Sequence, residues 1–309
     1  MLINRTNLNM ITTGINTAMV DALKSQAALS DYNLLCYRPP KSTKKTEQYG
    51  WLANLPDYRP WIGDRHIGNV SKYGMQVTTA EFEATIELNE REIEDDDYLR
   101  AFEASKALAY KWPKKLNTMT YRLLEQGMTT LAFDQAMFFS NSHPVTNATG
   151  GTTLISNLQA GVSTSPWYLM DLSDPVARPL ILRAEEAPNM RQLTSEESYA
   201  RFMRRALFWG NDGDIGVGLA FWQKALRSNA VLDAANFTAA RLQMSSVILE
   251  GGEKAGFRPT HLVCGETNRA AAENLLTLAQ VAVQVGTSAA TQSNANFNAV
   301  KLIVSPWLP

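Results

Sequence analysis

The sequence feature that most constrains the fold is the stretch of residues 75–89, in which apolar and acidic residues alternate. Its apolar positions are Phe82, Ala84, Ile86 and Leu88, and between them stand Glu81, Glu83, Thr85 and Glu87. Because successive side chains of a strand point to opposite faces, the pattern predicts a strand with one apolar and one acidic face. Residues 71–74 predict a turn, which makes residues 65–70 the first strand of a hairpin. A two-stranded hairpin is only marginally stable in water, so its apolar face needs a cover, either the chain's own core or a neighbouring molecule.

A long helix is predicted after this strand, over residues 95–127. Carboxylates gather where it would begin, at Glu92, Glu94, Asp95, Asp96 and Asp97. Negative charge there pairs with the unbonded N–H groups and the positive end of the helix dipole. Apolar residues then recur every three or four positions, at Leu99, Phe102, Ala109, Trp112, Leu116, Met119 and Leu123. Pro113 predicts a kink or a break at Trp112, and Gly127 is suited to end the helix.

The flanking segments predict an arm before the hairpin and an α/β unit after the helix. Residues 15–29 carry an imperfect helical stripe, and residues 38–45 combine cations with two prolines. The second stretch predicts an extended, solvated linker, with contact to an acidic neighbouring subunit as the alternative. In the α/β unit, strands are predicted at 167–171, 178–184, 260–264 and 299–304, helices at 236–249 and 267–278, and a surface loop at 280–298. Residues 195–209 show mixed helix and strand character, and residues 216–224 fit a strand or the start of a helix.

Composition limits the partners and the compartment. The 309 residues carry a net charge of −1, which supplies no strong electrostatic attraction to nucleic acid or to a membrane. Apolar runs fall short of the roughly 18 residues that a membrane span needs, and residues 1–13 lack the apolar core of a signal peptide. Cys36 and Cys264 stand in apolar surroundings and are predicted to be buried free thiols. These features favour a protein made in a reducing cytoplasm.

The residues that could carry catalysis or bind a metal form no recognisable motif. His66, His143 and His261 stand apart, without the spacing of a histidine or cysteine metal site, so no metal or cofactor is predicted. The sequence also lacks a nucleophile elbow and a phosphate-binding loop. One alternative remains, a soluble α/β enzyme whose active site joins distant residues such as Asp214, His143 and Ser140.

Several short strings occur along the whole chain in a definite order. They are Tyr49-Gly50-Trp51-Leu52, Trp61-Ile62-Gly63-Asp64-Arg65, Ile93-Glu94-Asp95-Asp96, His143-Pro144-Val145, Pro166-Trp167-Tyr168-Leu169, Arg258-Pro259-Thr260-His261 and Val304-Ser305-Pro306-Trp307. Together they resemble the major head subunit of Mu-like phages and prophages. The chain departs from that pattern at Asn141 and Ser142 and at Cys264 and Gly265. The loop contacts of the family are therefore not carried over to these positions.

The resemblance implies the α+β fold of tailed-phage major capsid proteins, named for phage Hong Kong 97. Its parts would be an N-terminal arm (1–50), an extended β-hairpin called the E-loop (51–90), a peripheral domain with a long spine helix (91–164), an axial α/β domain (165–295) and a strand returning to the peripheral domain (296–309). The implied function is structural and not enzymatic. Many copies would form the hexamers and pentamers of an icosahedral shell around double-stranded DNA.

The resemblance also implies partners and contacts. The apolar face of the hairpin would lie over a neighbouring subunit, with intersubunit contacts at Trp61, Arg65, Phe82, Ile86 and Leu88. Further partners would be a scaffold or protease, a portal, decoration proteins and DNA bound without sequence specificity, but no membrane. The protein would be made in the bacterial host cytoplasm and end in the virion head. Replacing Ile86 with Asp would then leave a folded subunit that fails to assemble.

Overall fold

The computed structural model describes residues 5–27, 30–53, 71–91, 95, 99–147, 149–185, 188–195, 197–285 and 288–309. Its helices are α1 (Arg5–Ala27), α2 (Tyr32–Leu35), α3 (Leu99–Glu125), α4 (Tyr199–Arg204), α5 (Ala234–Ser245) and α6 (Arg269–Thr277). The strands of the first half are β1 (Cys36–Tyr37), β2 (Thr46–Ala53), β3 (Ser71–Thr78), β4 (Ala80–Asn89), β5 (His143–Thr146), β6 (Thr152–Ile155) and β7 (Leu158–Gln159). Those of the second half are β8 (Trp167–Met170), β9 (Leu180–Ala184), β10 (Asn189–Leu193), β11 (Ala206–Leu219), β12 (Ala225–Ser228), β13 (His261–Gly265), β14 (Gln280–Val285), β15 (Ser288–Ser293) and β16 (Lys301–Ser305).

One sheet is organised around the long strand β11. Its order is β1-β9-β11-β10, and β4 also pairs with β11. The β4–β11 pairing is antiparallel and runs from Ala80 opposite Ile215 to Asn89 opposite Ala206. Strands from the predicted arm, the predicted hairpin and the predicted axial unit therefore meet in a single sheet. The proposed domain boundaries stay predictions, and the strand pairing crosses them.

Helices α1 and α3 pack against each other beside this sheet. The buried residues of α1 follow helical spacing at Leu8, Ile11, Ile15, Met19, Ala22 and Leu23. Gly14 allows the close approach, because a Cβ atom there would clash with the ring of Phe102 on α3. The N-terminal segment predicted as an arm thus contains a long helix that packs on its own subunit.

Helix α3 continues through Pro113, so the helix does not break at Trp112. Proline cannot donate the bond to the carbonyl of Ala109, but Ala109, Trp112 and Leu116 are all buried in the main core. A 3₁₀ turn, Gln126–Met128, follows the helix. A Cβ atom on Gly127 would lie 2.6 Å from the ring of Phe139, so the glycine at this end serves close packing.

The second sheet has the order β16-β13-β8-β12-β7, and its strands β8 and β13 are buried at every residue. Trp167 and Leu169 of β8 point into a cluster with Phe237 of α5 and Leu276 of α6. The alternate residues Tyr168 and Met170 belong to the main core, which the sheet shares with α3. β16 pairs in parallel with β13 in this sheet. The return of this strand to a peripheral domain, which the resemblance implied, stays a prediction.

Several predicted elements differ from the observed ones. The strand predicted over 75–89 is two strands, β3 and β4. The strand pairing is interrupted at Thr79, whose N–H donates to the Lys45 carbonyl. The turn predicted at 71–74 lies within β3, which pairs with β2. The strand predicted at 65–70 lies outside the described residues. The loop predicted at 280–298 contains the hairpin β14–β15, whose Val281, Val283 and Val285 alternate as strand residues do.

Candidate assembly surfaces

The apolar face of β4 is covered within the subunit. Leu88 is buried in a cluster formed with Leu8, Ile11 and Ile15 of α1 and Leu207 and Trp209 of β11, and half-buried Ile86 packs against the same cluster. Phe82 packs on the main core, and the Lys115 ammonium lies 4.8 Å from its ring centroid. Of the two covers that the residue pattern allowed, the chain's own core is therefore the one observed, where the resemblance implied a neighbouring subunit. Trp61 and Arg65 lie outside the described residues.

The opposite face of β4 is acidic and exposed. Glu81, Glu83 and Glu87 are all exposed to solvent, as is Thr85 between them. The Thr85 hydroxyl donates to a Glu83 carboxylate oxygen at 3.0 Å. We call these three glutamates the acidic strip. It presents a row of negative charge along the exposed face of β4.

The base of the β2–β3 hairpin is held on the first sheet. Val77 is buried against Ile181 and Ala220. The guanidinium of Arg183 donates to the carbonyls of Val77, at 3.2 Å, and Lys44, at 2.7 Å. The strands pair outward as far as Ala53 opposite Ser71. Residues 54–70, which join the two strands, lie outside the described part of the chain.

Helix α4 turns one of its two arginine side chains, that of Arg201, inward. The Ser198 hydroxyl caps the helix by accepting from the Arg201 N–H, and Arg205 ends it with a φ of 48°. The Arg201 guanidinium pairs with the Glu90 carboxylate at the end of β4. It also donates to the Thr194 carbonyl at 3.1 Å. These contacts fix one face of the helix against β4 and β10.

The other face of α4 is apolar and exposed. Tyr199 is 76% exposed, Phe202 83% and Met203 57%. Positions 199, 202 and 203 lie on one side of a helix because they are three and four residues apart. Leu193, which ends β10 five residues before the Ser198 cap, is also exposed. None of these residues was a predicted contact, since residues 195–209 show mixed character in the sequence.

The sequence matches the family described as "Mu-like prophage major head subunit gpT" over residues 8–308. The chain belongs to this family. Among its relatives, the "Mu-like prophage FluMu major head subunit" of Haemophilus influenzae is 30% identical over 242 residues, covering 76% of this chain and 78% of the relative. The "Major capsid protein" of Escherichia phage Mu is 31% identical over 257 residues, covering 81% of this chain and 83% of the relative.

Solved capsid structures share the fold of this head subunit. A chain of the "Procapsid of bacteriophage JBD30" superposes with a TM-score of 0.82 at 29% identity, covering 99% of this chain and all of that one (100%). A chain of the "Bacteriophage JBD30 capsid" superposes with a TM-score of 0.72 at 20% identity, covering 90% of each chain. The protein is thus a major capsid protein of the Hong Kong 97 fold class, many copies of which form the shell of a phage head. It is a structural protein and not an enzyme.

The head subunit does not assemble the site of the alternative enzyme hypothesis. Buried His143 bonds through Nδ1 to Asp134 at 2.6 Å, and Asp214 instead lines a cavity of about 610 Å³ with Arg38 and Arg183. The Ser140 hydroxyl lies 3.3 Å from that of Ser142. A base must reach its substrate, and a fully buried imidazole cannot.

The His143 cluster instead ties loops of the head subunit together. The imidazole stacks on Trp222 with ring centroids 3.7 Å apart, and Nε2 lies 3.2 Å from the Asn157 side-chain oxygen. The Asn157 amide nitrogen donates to the carbonyls of Phe138, Trp222 and Ala225. The polar side chains of His143, Asp134 and Asn157 all find partners within the cluster, so the cluster is structural.

The two thiols of the head subunit are inert. Burial raises the pKa of the Cys36 thiol to about 12 and that of the Cys264 thiol to about 12. Both are free and buried, as the sequence predicted, and a protonated buried thiol is a poor nucleophile. Within the described ranges, acidic, histidine and cysteine side chains form no group of three that could hold a metal ion. The helices in that part of the chain are too short or too polar to cross a membrane.

Proposed function

We propose that this head subunit forms hexamers and pentamers that close into an icosahedral shell around double-stranded DNA. The observation that carries the proposal is the agreement with the procapsid chain of phage JBD30 over 99% of this chain. A match of this extent supports the same kind of assembly for this chain. The subunit would be made in the cytoplasm of the bacterial host.

Contacts between copies are proposed on the β2–β3 hairpin and on residues 54–70 between its strands, with Trp61 and Arg65 as contact residues. Among the hairpin residues whose burial is described, Val77, Tyr49 and Met75 pack on the first sheet, and a two-stranded ribbon needs a further surface to be stable. Phe82 and Ile86 are half-buried and would add their exposed edges to such a contact. Leu88 would act from inside the subunit by holding β4 in place. Tryptophan and arginine are the residue types that anchor protein interfaces most often.

Further partners are proposed more generally. A shell made in a host cell would need a scaffold or protease for assembly and a portal for DNA entry. One solved relative is the "Capsid of bacteriophage JBD30 decorated with minor capsid protein trimers", which supports a decoration partner for this subunit. The net charge of −1 suits a wall that encloses DNA without binding it tightly or reading its sequence.

The test is expression of the chain in bacteria, followed by gradient sedimentation and electron microscopy of the purified protein. We expect closed shells, tubes or capsomer rings. A protein that stays monomeric at all concentrations would contradict the proposal, and more so if it turned over a small molecule. A Trp61→Ala variant is expected to lower the assembled fraction while leaving the thermal unfolding temperature of the subunit unchanged.

A further inference from the structure

Helix α4 exposes what a helix normally buries. Surface helices place their apolar side chains toward the core and their charges toward water. In α4 the charged Arg201 pairs with Glu90, while Tyr199, Phe202 and Met203 face solvent. Single exposed apolar residues are ordinary, but three on one face of a six-residue helix form a patch. A contiguous exposed patch of this kind marks an interaction surface.

The exposure of this patch is not the result of a loosely held helix. Helix α4 is fixed at its start by the Ser198 cap. It is fixed in its middle by Arg201, which pairs with Glu90 and donates to the Thr194 carbonyl. The strands on either side are also joined, since Leu193 of β10 pairs with Phe208 of β11. A fixed helix loses little conformational entropy on binding, which favours it as a contact element.

The charges around the patch indicate what kind of surface covers it. Arg204 and Arg205 are exposed next to the aromatic side chains. Two such patches meeting face to face would bring four arginines together, and like charges in contact oppose association. The patch therefore fits a different surface, one that offers negative charge. The acidic strip on β4 is a surface of that kind on the same chain, so a neighbouring copy carries it.

We propose that α4 is an assembly contact, covered in the shell by a second copy of this chain that places its acidic strip beside Arg204 and Arg205. The proposal rests on the shell function and specifies one of its contacts. Because it joins two different surfaces, the contact repeats from copy to copy and can close a ring. Aromatic side chains would supply the buried area, and the arginines would set the orientation.

Thiol labelling tests whether the patch is covered. Both native cysteines are buried, so a single introduced surface cysteine is the reactive thiol of the folded chain. Phe202→Cys is compared with Leu242→Cys, which replaces a 69% exposed residue on α5, outside the proposed contact. Each variant is labelled with a maleimide, both as free subunits and as shells assembled from this chain alone.

In free subunits both variants should react at similar rates. In shells, the rate for Phe202→Cys relative to Leu242→Cys should fall at least about tenfold. An unchanged ratio in shells would overturn the proposal, and so would protection that appears only after a decoration protein is added. If wild-type subunits form no assembled species at all, the shell function itself fails, and this inference falls with it.

Charge reversal tests the partner surface. The double variant Arg204→Glu, Arg205→Glu should lose assembly while its circular dichroism and thermal unfolding match the wild type. Adding Glu81→Lys, Glu83→Lys and Glu87→Lys to that chain should restore assembly, because the two charged surfaces have exchanged signs. Assembly of the arginine double variant at the wild-type level would contradict the role of the arginines. Failure of the lysine substitutions to restore assembly would exclude the acidic strip as their partner.

Discussion

Strand β4 and helix α4 both adjoin the start of β11, but the apolar face of β4 is covered and that of α4 is exposed. The apolar face of β4 lies under α1, so Leu88 is buried within its own subunit. The apolar face of α4 lies under nothing in the described part of the subunit, and Phe202 is among the most exposed aromatic side chains there. The two elements are linked by the Arg201–Glu90 ion pair. The same small region thus holds one apolar face completed by the fold and one left for assembly.

The difference shows that an apolar pattern identifies a face but not what covers it. The alternation in residues 80–89 specifies a half-buried strand, and the cover comes from α1, some seventy residues earlier in the chain. In α4 the inward residue is an arginine whose partner, Glu90, is more than one hundred positions away in sequence. Long-range contacts of this kind decide whether a patch belongs to the core or to an interface.

The largest effect is expected from Ile86→Asp. A carboxylate at this half-buried position, opposite Trp209 and packed on the cluster of α1 and β11, would lose much of its hydration, so the free energy of unfolding should fall by about 3 kcal/mol. The matched control, Thr85→Asp on the exposed face of the same strand, should change it by less than about 0.5 kcal/mol. Urea unfolding of both variants provides the measurement. A fully stable Ile86→Asp subunit would show that this face is not covered by α1 and would fit the neighbouring subunit that the resemblance implied.

Gly14→Leu should have the next largest effect. The new side chain would meet the ring of Phe102 and force α1 away from α3, which costs about 1–3 kcal/mol by overpacking. Thermal unfolding monitored by circular dichroism measures the loss. Thr17→Leu, on an exposed position of the same helix, serves as the control and should be close to neutral. Equal melting temperatures for the two variants would argue that α1 does not pack on α3.

Arg201→Ala is expected to destabilise the subunit by about 1–2 kcal/mol. It removes a partly buried ion pair with Glu90 and the bond to the Thr194 carbonyl, and hydrogen bonds to charged groups contribute in this range. Hydrogen exchange of the α4 amides should accelerate, while the amides of α5 should keep their rates. Unchanged exchange in α4 would mean that the helix is held by something other than these contacts.

Phe202→Asp should have the smallest effect on stability and a complete effect on assembly. The side chain is exposed in the subunit, so the free energy of unfolding should change by less than about 0.5 kcal/mol. Sedimentation should nevertheless show free subunits only. Normal shells from this variant, or a subunit as unstable as Ile86→Asp, would remove the distinction between the two faces.

Much of the fold follows from local patterns, and the failures have physical causes. Helix α3 is predictable because its apolar residues recur every three or four positions. Strands β8, β9 and β13 are predictable because each is a short apolar run buried on both faces. Residues 195–209 could not be resolved because α4 reverses the usual pattern, with its apolar face outward. The sequence of the β14–β15 hairpin predicts a loop because small and polar residues outnumber its three valines. Pairing partners such as β2 for β3 depend on chain-distant contacts that residue patterns do not encode.

The most direct test of this account is a cryo-electron microscopy reconstruction of shells formed by this chain alone. The account predicts that side chains of a second copy lie within about 4 Å of Phe202, with the acidic strip of that copy beside Arg204 and Arg205. It also predicts that α1 still covers Ile86 and Leu88 within each subunit. A shell in which α4 faces solvent, or in which a neighbouring subunit replaces α1 over β4, would contradict it.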